Sequence, residues 1–280
     1  MTIFDIYAFA DYSGAASIQS QKKAIAVSII SEDDAFQWVF EKQHTRESLR
    51  LDFKRLLIKA AHEDHRVIFG FDHSYSFPLG FYEAVTGTEW DSWDRLLDFL
   101  CNGISELPPV DDKPREWAEA INKKLNTGNG GPFWGPNFSH QEKDPRFRFE
   151  PIKQKRLVEE RIPMTKPIYK IGGIGSVGLQ SLYGIQHIAK LKYELKINDI
   201  ELFCWPFDGW DLPPGGHVLV EIYPGLFNRI SKGPYEDAKA CSARIYGKDR
   251  ANTLAEWFNP CLDHHEQKRA RLEGWIFGVL

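Results

Sequence analysis

The sequence lacks the cysteine patterns of disulfide-stabilised and zinc-binding proteins. Its four cysteines, Cys101, Cys204, Cys241 and Cys261, are scattered over 280 residues without a C-x-x-C pair. This spacing offers neither a disulfide framework nor a cysteine cage for zinc. We therefore expect reduced thiols.

Long apolar runs and a strong excess of one charge are also missing. No stretch approaches the ~20 apolar residues that span a bilayer, and the first residues lack the basic segment and cleavage site of a signal peptide. The chain has 35 Lys and Arg against 39 Asp and Glu, a formal net charge of −4, so no global charge draws it to nucleic acid or anionic lipid. These absences predict a cytoplasmic protein that does not bind membranes.

The first part of the chain consists of short apolar runs and one amphipathic segment. Residues 4–10 are almost all apolar, as in a strand covered on both faces, and residues 24–30 and 36–40 are two further runs around a polar turn. From Thr45 onward apolar residues recur at helical spacing, and residues 67–71 form another apolar strand. The predicted order is three strands, a helix and a strand.

This order is typical of the opening of the ribonuclease-H-like fold, an α/β fold with three antiparallel strands, then parallel strands, and flanking helices. The strand after the helix lies beside the first strand and parallel to it, so Asp11 and Asp72 are predicted to be neighbours at the strand ends. Adjacent carboxylates repel each other unless a divalent cation or a shared proton relieves the cost. The alternative is that each aspartate only caps a loop.

The middle of the chain does not continue this pattern. Residues 127–136 are rich in Gly and Pro and are incompatible with regular structure. We therefore expect a single domain over residues 1–280 that carries an insertion or lid at residues 102–170.

Basic residues are concentrated in the same part of the chain. Residues 113–170 contain 13 Lys and Arg against 7 Asp and Glu, a local charge of +6. Aromatic residues such as Trp117 and Trp134 alternate with basic residues such as Arg146 and Arg148, a composition that suits base stacking beside phosphate contacts. Nucleic acid is therefore a predicted partner. A solvated basic face on an anchored loop is the alternative.

A glycine-rich loop at residues 171–178 precedes an amphipathic helix. Gly173, Gly175 and Gly178 satisfy G-x-G-x-x-G, and together with Ser176 they can form a backbone nest for an anion at the helix N-terminus. The dinucleotide-binding version requires an acidic residue at the end of the next strand, whereas that strand here ends in Trp-Pro-Phe. A phosphate of a nucleic acid or nucleotide and a purely structural turn stay open.

Two glutamates stand in apolar surroundings near the end of the chain. Glu221 interrupts an apolar strand, where an ionised carboxylate is costly unless it is paired, hydrogen-bonded or metal-bound. Glu273 has apolar neighbours in a last helix predicted over residues 262–278. Both are candidate site residues, and the alternative for Glu273 is a surface position near a helix end.

Six short motifs together resemble domain-of-unknown-function family 429, a family described as predicted nucleases with a ribonuclease-H-like fold. The likeness covers nearly the whole chain, and the motifs fall in the order of the family. The motifs are residues 10–14 (Ala-Asp-Tyr-Ser-Gly), 70–72 (Gly-Phe-Asp), 171–178 (the glycine-rich loop), 205–207 (Trp-Pro-Phe), 220–224 (Val-Glu-Ile-Tyr-Pro) and 273–276 (Glu-Gly-Trp-Ile). At the last motif this chain has glutamate where aspartate followed by a small residue is more usual.

The resemblance implies metal-dependent phosphodiester hydrolysis. Asp11, Asp72, Glu221 and Glu273 would surround one site and hold two Mg²⁺ or Mn²⁺ ions ~3.5–4 Å apart, with Asp11 between them. Oxygen ligands alone favour these hard cations, and the histidines of the chain show no regular zinc spacing. Ser13 is a further candidate for contact with the substrate phosphate.

Two other classes of function stay open. The actin and sugar-kinase type of ATP site also uses a turn after the first strand, which residues 11–14 could supply, but that superfamily needs two copies of the fold. The other class is a non-catalytic nucleic-acid-binding module whose basic segment makes the contacts. Binding of metal alone favours the nuclease, binding of ATP favours the kinase, and binding of neither favours the module.

Overall fold

The computed structural model shows an α/β protein. The chain forms two compact units, one from Met1–His73, His187–Leu262 and Trp275–Leu280, the other from Ser74–Gln186 and Asp263–Gly274. The structure describes residues 2–31, 43–110, 112–125, 131–136, 152–173, 175–228 and 233–280. The predicted strand at residues 36–40 and the candidate residues Arg146 and Arg148 lie outside this part.

Helices and strands alternate irregularly along the chain. In the part of the chain that the structure describes, the 3-10 helices Pro224–Leu226 and Leu254–Phe258 accompany the regular elements. The regular elements are β1 (Ile6–Asp11), α1 (Ile18–Ala24), β2 (Ala26–Ser31), α2 (Arg46–His62), β3 (Val67–Phe71), α3 (Phe81–Thr86), α4 (Trp93–Ser105), α5 (Lys113–Leu125), α6 (Leu157–Arg161), α7 (Gly178–Ile197), β4 (Leu202–Cys204), β5 (His217–Glu221), α8 (Pro234–Arg250) and α9 (His264–Glu273).

The first unit contains a mixed sheet of five strands in the order β2-β1-β3-β5-β4. Strand β1 pairs antiparallel with β2 and parallel with β3, and the pairs β3–β5 and β5–β4 are also parallel. The predicted α/β class is confirmed at this level, as is the parallel pairing of the first strand with the strand that follows the helix. That pairing brings the ends of β1 and β3 together.

Helices cover both faces of this sheet. On one face α8 packs against β1 and β2, where the Tyr7 ring meets Tyr246 at 5.1 Å and the Tyr7 hydroxyl donates to Asp249. On the other face Phe53 of α2 packs against Phe69 and Phe71 of β3. Because both faces are covered, β1 and β3 are apolar at nearly every position, which is the pattern that the sequence shows.

The ends of the first two helices follow from local capping. Thr45 caps α2 with Ser48 in a reciprocal capping box, close to the helix start predicted from the sequence. Helix α1 was not predicted, because its polar segment shows no clear apolar period, whereas the strand predicted over residues 24–30 corresponds to β2. Ser17 caps this helix by accepting from the Ser20 N–H, and the chain enters β2 only at Ala26.

The second unit is helical and has its own aromatic core. Phe77 and Phe81 stack at 4.1 Å, and further rings, those of Trp117, Phe133 and Tyr169, surround them. Each of these side chains is almost completely buried. Within the described ranges, no helix has the length and apolar character needed to cross a membrane.

Candidate functional site

Two aspartates meet at the end of the central parallel strands. Asp11 is the last residue of β1, and Asp72 directly follows β3. Ala10 pairs with Phe71 in the parallel ladder, so the next residue of each strand is an aspartate. The two carboxyl groups are joined by a hydrogen bond, as the predicted strand order requires. We call these two residues the acid pair.

The acid pair holds a proton that ordinary carboxylates would release. Burial raises the pKa of Asp11, and the charge of Asp72 and the hydrogen bond to it act in the same direction. Burial also raises the pKa of Asp72, although hydrogen bonds from Asp11 and from the Tyr12 backbone oppose that rise. Two half-buried carboxylates in contact cannot both ionise cheaply, so they share a proton near neutral pH when no cation is bound.

The turn after β1 is held firmly in place. The Tyr12 N–H donates to Asp72 Oδ1 at 2.6 Å. The buried guanidinium of Arg46 donates to the carbonyl oxygens of Ser13 and Ala15, at 3.0 and 2.6 Å. Ser13, a candidate phosphate contact, accepts the Ala15 N–H at its side-chain oxygen at 3.1 Å. These bonds fix the position of Asp72 relative to the end of β1.

The Tyr12 side chain links this turn to α7. Its ring packs edge-on against His73 at 4.8 Å, and its hydroxyl is 2.8 Å from Nδ1 of His187. Burial lowers the pKa of His187 to about 4, with a further contribution from nearby arginine side chains and Lys190. His187 is therefore neutral at physiological pH.

A third carboxylate, Asp237, acts on the acid pair from α8. Its charge raises the pKa of both Asp11 and Asp72, and all three carboxylates raise the pKa of the buried thiol of Cys241, although burial is the largest cause there. Asp237 was not among the residues predicted from the sequence. The available signal was Pro-Tyr-Glu-Asp, a sequence typical of a helix start, in which Pro234 occupies the first turn.

The carboxylates do not form a closed metal cage. Within the ranges that the structure describes, no three His, Cys, Asp or Glu side chains lie close enough together to hold a metal ion. Asp237 therefore acts on the acid pair through its electric field and not as a shared ligand in this geometry.

Glu221 lies at the same edge of the sheet but on a different face. Phe71 pairs with both Ala10 and Glu221, so these three side chains point to one side of the sheet. Asp11 follows Ala10 and points to the other side, toward α8. The Glu221 side chain is buried, and its backbone carbonyl accepts the Phe277 N–H at 2.8 Å.

Glu273 belongs to the second unit and has a complete set of donors there. Its fully buried carboxylate accepts the backbone N–H groups of Leu79 and Leu157, both at 2.6 Å, and Nε of Arg269 at 2.9 Å. Burial raises the Glu273 pKa, whereas Arg269 and the two N–H groups lower it. These contacts tie two loops to α9.

The glycine-rich loop uses part of its hydrogen-bonding capacity internally. The Gly178 N–H donates to the Lys170 carbonyl at 2.9 Å, and the Ser176 N–H donates to Gly173 at 3.2 Å. A Cβ atom on Gly178 would lie 2.5 Å from the carbonyl oxygens of Ile168 and Lys170, so only glycine fits. Gly173 and Gly175 both have positive φ. Of the two alternatives for this loop, a phosphate site and a purely structural turn, these contacts support the structural turn.

Two aromatic residues expected to stack on bases have different environments. Trp117 is 3% exposed in the aromatic core, which matches the alternative of an aromatic anchor and leaves its ring inaccessible to a base. Trp134 is half-buried and exchanges backbone hydrogen bonds with Tyr169 and Ile171, at 3.0 and 2.8 Å. The Lys170 ammonium lies 5.8 Å from the centre of the Trp134 ring.

A cavity of about 390 Å³ lies in the first unit at the edge of the sheet opposite the acid pair. Arg66, Glu201 and His217, at the starts of the parallel strands, line it. His217 accepts the Val67 N–H at Nδ1 and faces the Leu57 carbonyl with Nε2, so it is a structural link in its neutral form. This cavity contains none of the predicted site residues.

Among the predicted carboxylates in the described part of the first unit, only Asp11 and Asp72 are in contact. The functional interpretation therefore rests on the acid pair and the residues around it. Comparisons of the chain with known protein families, with curated proteins and with solved structures each found no match.

Proposed function

We propose that this protein is a nuclease, a divalent-metal-dependent phosphodiester hydrolase with a ribonuclease-H-like fold, as its resemblance to family 429 implies. The observation that carries the proposal is the hydrogen-bonded pair of Asp11 and Asp72 at the C-terminal ends of two adjacent parallel strands. A repulsive carboxylate pair at this edge of a sheet is costly for stability, and a bound cation offsets that cost.

The strand order supports the fold assignment. One antiparallel pair, β1 and β2, is followed by a helical crossover through α2 to β3, which pairs parallel with β1. The acid pair occurs where this topology brings two strand ends together. The position of the acid pair therefore follows from the pairing of the two strands and does not depend on the conformation of distant loops.

The residues present fit a hard divalent cation. Mg²⁺ usually keeps several waters and takes one or two carboxylates together with substrate phosphate oxygens, and the acid pair supplies two carboxylates. The negative charge of Asp237 acts on both carboxylates and would further favour a cation bound between them. A cation bound there would activate a water for attack and stabilise the leaving oxygen of the phosphodiester.

The surrounding residues keep the acid pair in position. Tyr12 donates its N–H to Asp72, and Arg46 holds the carbonyl groups of the turn that contains Tyr12. Asp11 and Asp72 must release their shared proton to bind a cation, so we expect affinity to rise with pH.

Hydrolysis of labelled single-stranded and duplex DNA and RNA in Mg²⁺ or Mn²⁺ tests the proposal. We expect metal-dependent cleavage that EDTA stops and that Asp11→Asn and Asp72→Asn abolish. Asp199→Asn is the matched control, because Asp199 is exposed at positive φ, a conformation that asparagine tolerates well. Full activity in Asp72→Asn, or phosphate transfer from ATP without nucleic-acid cleavage, would refute the nuclease.

A further inference from the structure

The outer side of α7 combines exposed apolar and basic residues. We call Lys190, Tyr193, Lys196 and Ile197 the α7 face. Lys190, Tyr193 and Ile197 follow at spacings of three and four residues and so share one side of the helix, and Lys196 is three residues from Tyr193. Tyr193 is 65% exposed and Ile197 is 62% exposed. Exposed large apolar side chains placed next to each other mark binding surfaces more often than single ones do.

The α7 face begins beside the acid pair. Tyr12 donates its backbone N–H to Asp72, and its hydroxyl meets His187 on α7 at 2.8 Å. From His187 the helix continues through Lys190 and Tyr193. One residue, Tyr12, therefore separates the acid pair from the helix that carries the face.

Helix α2 extends the basic character of this surface. Lys190 Nζ is 3.5 Å from Glu47, and Lys54 Nζ is 3.9 Å from Glu194. Arg50 forms ion pairs with both of these glutamates, so their charges are largely compensated. Residues 46–54 and 187–197 together contain six Lys and Arg against three Asp and Glu, which leaves an excess of positive charge.

The positive charges near the α7 face affect the pKa values of two neighbouring residues, Glu47 and His187. Hydrogen bonding from Arg50 lowers the pKa of Glu47 to about 2, and the charges of Arg50 and Lys190 contribute. Burial is the largest cause of the lowered pKa of His187, the charge of Glu47 opposes it, and the charges of Arg46, Arg50 and Lys190 add to the lowering. A polyanion would find a favourable potential along this surface.

We propose that the α7 face binds the backbone of single-stranded nucleic acid on its way to the acid pair, with a base stacked on Tyr193. This inference rests on the proposed nuclease function and names the surface that presents the substrate. Lys190 and Lys196 lie on either side of Tyr193 and contact phosphates, while the tyrosine ring accepts any base, because every base has an aromatic face.

The length and the charge of the α7 face favour single-stranded nucleic acid over a protein helix as its ligand. At a rise of about 1.5 Å per residue, His187 and Lys196 are about 14 Å apart along α7. That length matches about four nucleotides at the ~3.4 Å spacing of a stacked strand. Single-stranded nucleic acid requires basic residues beside exposed aromatic rings, whereas a docked amphipathic helix requires a wider apolar stripe.

Fluorescence anisotropy of a labelled oligothymidylate, titrated with the full chain in EDTA, tests the proposal without hydrolysis. We expect Tyr193→Ala to weaken binding about five- to 150-fold, which corresponds to the loss of one base stack, and Tyr193→Phe to retain affinity. Replacing Lys190 and Lys196 with Gln should reduce the slope of log affinity against log salt by about 1.4, at ~0.7 for each phosphate contact. Lys268→Gln, at an exposed lysine of α9, is the matched control.

Three outcomes would overturn the α7 face as the nucleic-acid track. They are the absence of binding at low salt, equal affinities of Tyr193→Ala and the wild type, and a dimer in sedimentation that Tyr193→Ala dissociates. A failure of the α7-face proposal can be distinguished from a failure of the nuclease proposal. Hydrolysis of bis-para-nitrophenyl phosphate in Mn²⁺ needs the acid pair but no extended track, so it should survive in Tyr193→Ala and disappear in Asp72→Asn.

Discussion

The acid pair in the first unit is half-buried and Glu273 in the second unit is fully buried, and these carboxylates have opposite surroundings. Glu273 accepts two backbone N–H groups and the guanidinium of Arg269, so its negative charge is compensated. Asp11 and Asp72 face each other, and the charge of Asp237 adds to their repulsion. Both regions restrict the access of water to the carboxylates, but donors surround Glu273 whereas other carboxylates surround Asp11 and Asp72.

The difference shows which buried acids suggest chemistry. A carboxylate surrounded by donors contributes to stability and leaves little capacity for a ligand. A carboxylate that shares its site with a second one lowers stability until a proton or cation arrives. Burial and apolar neighbours in the sequence cannot separate these cases, because the donors come from distant parts of the chain.

The largest expected effect is the loss of stability in Glu273→Gln. Removing the charge of this buried, hydrogen-bonded carboxylate costs about 3 kcal/mol, since two backbone N–H groups lose an ionised acceptor and Arg269 is left with Glu160 as its acidic partner. Urea unfolding monitored by tryptophan fluorescence measures the free energy of unfolding. We expect Mn²⁺ binding to persist in the folded variant. Unchanged stability together with lost Mn²⁺ binding would instead identify Glu273 as a metal ligand.

The second effect is the gain in stability that metal gives to the wild type. At a hundred-fold excess over its dissociation constant, Mn²⁺ should add about 2.7 kcal/mol to the free energy of unfolding, and Asp72→Asn should gain nothing. Without metal, Asp72→Asn should equal the wild type or exceed it by up to about 1 kcal/mol, because repulsion is removed while an acceptor for the Tyr12 N–H is kept.

Asp208 is an aspartate that only caps a loop after a strand, and its substitution is the control for Asp72→Asn. It accepts the Cys204 N–H at 2.6 Å and thus caps the turn after β4. We expect Asp208→Ala to lose about 1 kcal/mol of stability with or without metal. If Asp72→Asn lowers metal-free stability in the same way, Asp72 is a loop cap and the comparison between the two regions fails.

A further effect is a pH dependence of the stability of the metal-free protein. The pKa of Asp11 is raised in the folded state, so its contribution to stability is complete below the ordinary value of 3.8 and is lost as pH rises. His187 and His217 have pKa values lowered to about 4, and they contribute the opposite trend up to about pH 6.5.

Between about pH 6.5 and 8 the acid pair therefore dominates, and stability should fall with rising pH by at most about 1.4 kcal/mol per pH unit. Thermal unfolding across this range, with EDTA present, measures the trend. Asp11→Asn should flatten the curve, and a wild-type curve that rises over the same range would contradict the shared proton.

Much of the sheet could be predicted from apolar runs alone. Residues 67–71 coincide with β3, and the pairing of that strand with β1 follows from the handedness of helical crossovers. The acid pair was predictable for the same reason, because it depends only on strand order. Helix α1 was missed because its Ser17 cap lies in a polar segment without a clear apolar period.

Other parts of the site depend on information that a linear pattern does not contain. The face of the sheet to which Glu221 points depends on its register with Phe71, which no motif specifies. Asp237 acts on the acid pair only because α8 packs against β1. The donors of Glu273 come from residues 79 and 157, which are far from it in sequence.

The most direct test of the central claim is calorimetric titration with Mn²⁺ near pH 7 in two buffers of different ionisation enthalpy. If Asp11 and Asp72 share a proton that a cation displaces, binding should release about one proton, so the measured heats should differ between the buffers. Asp72→Asn should bind no metal, and Glu273→Gln should behave as the wild type. Absence of heat at millimolar Mn²⁺, or equal binding by Asp72→Asn, would contradict a metal site at the acid pair.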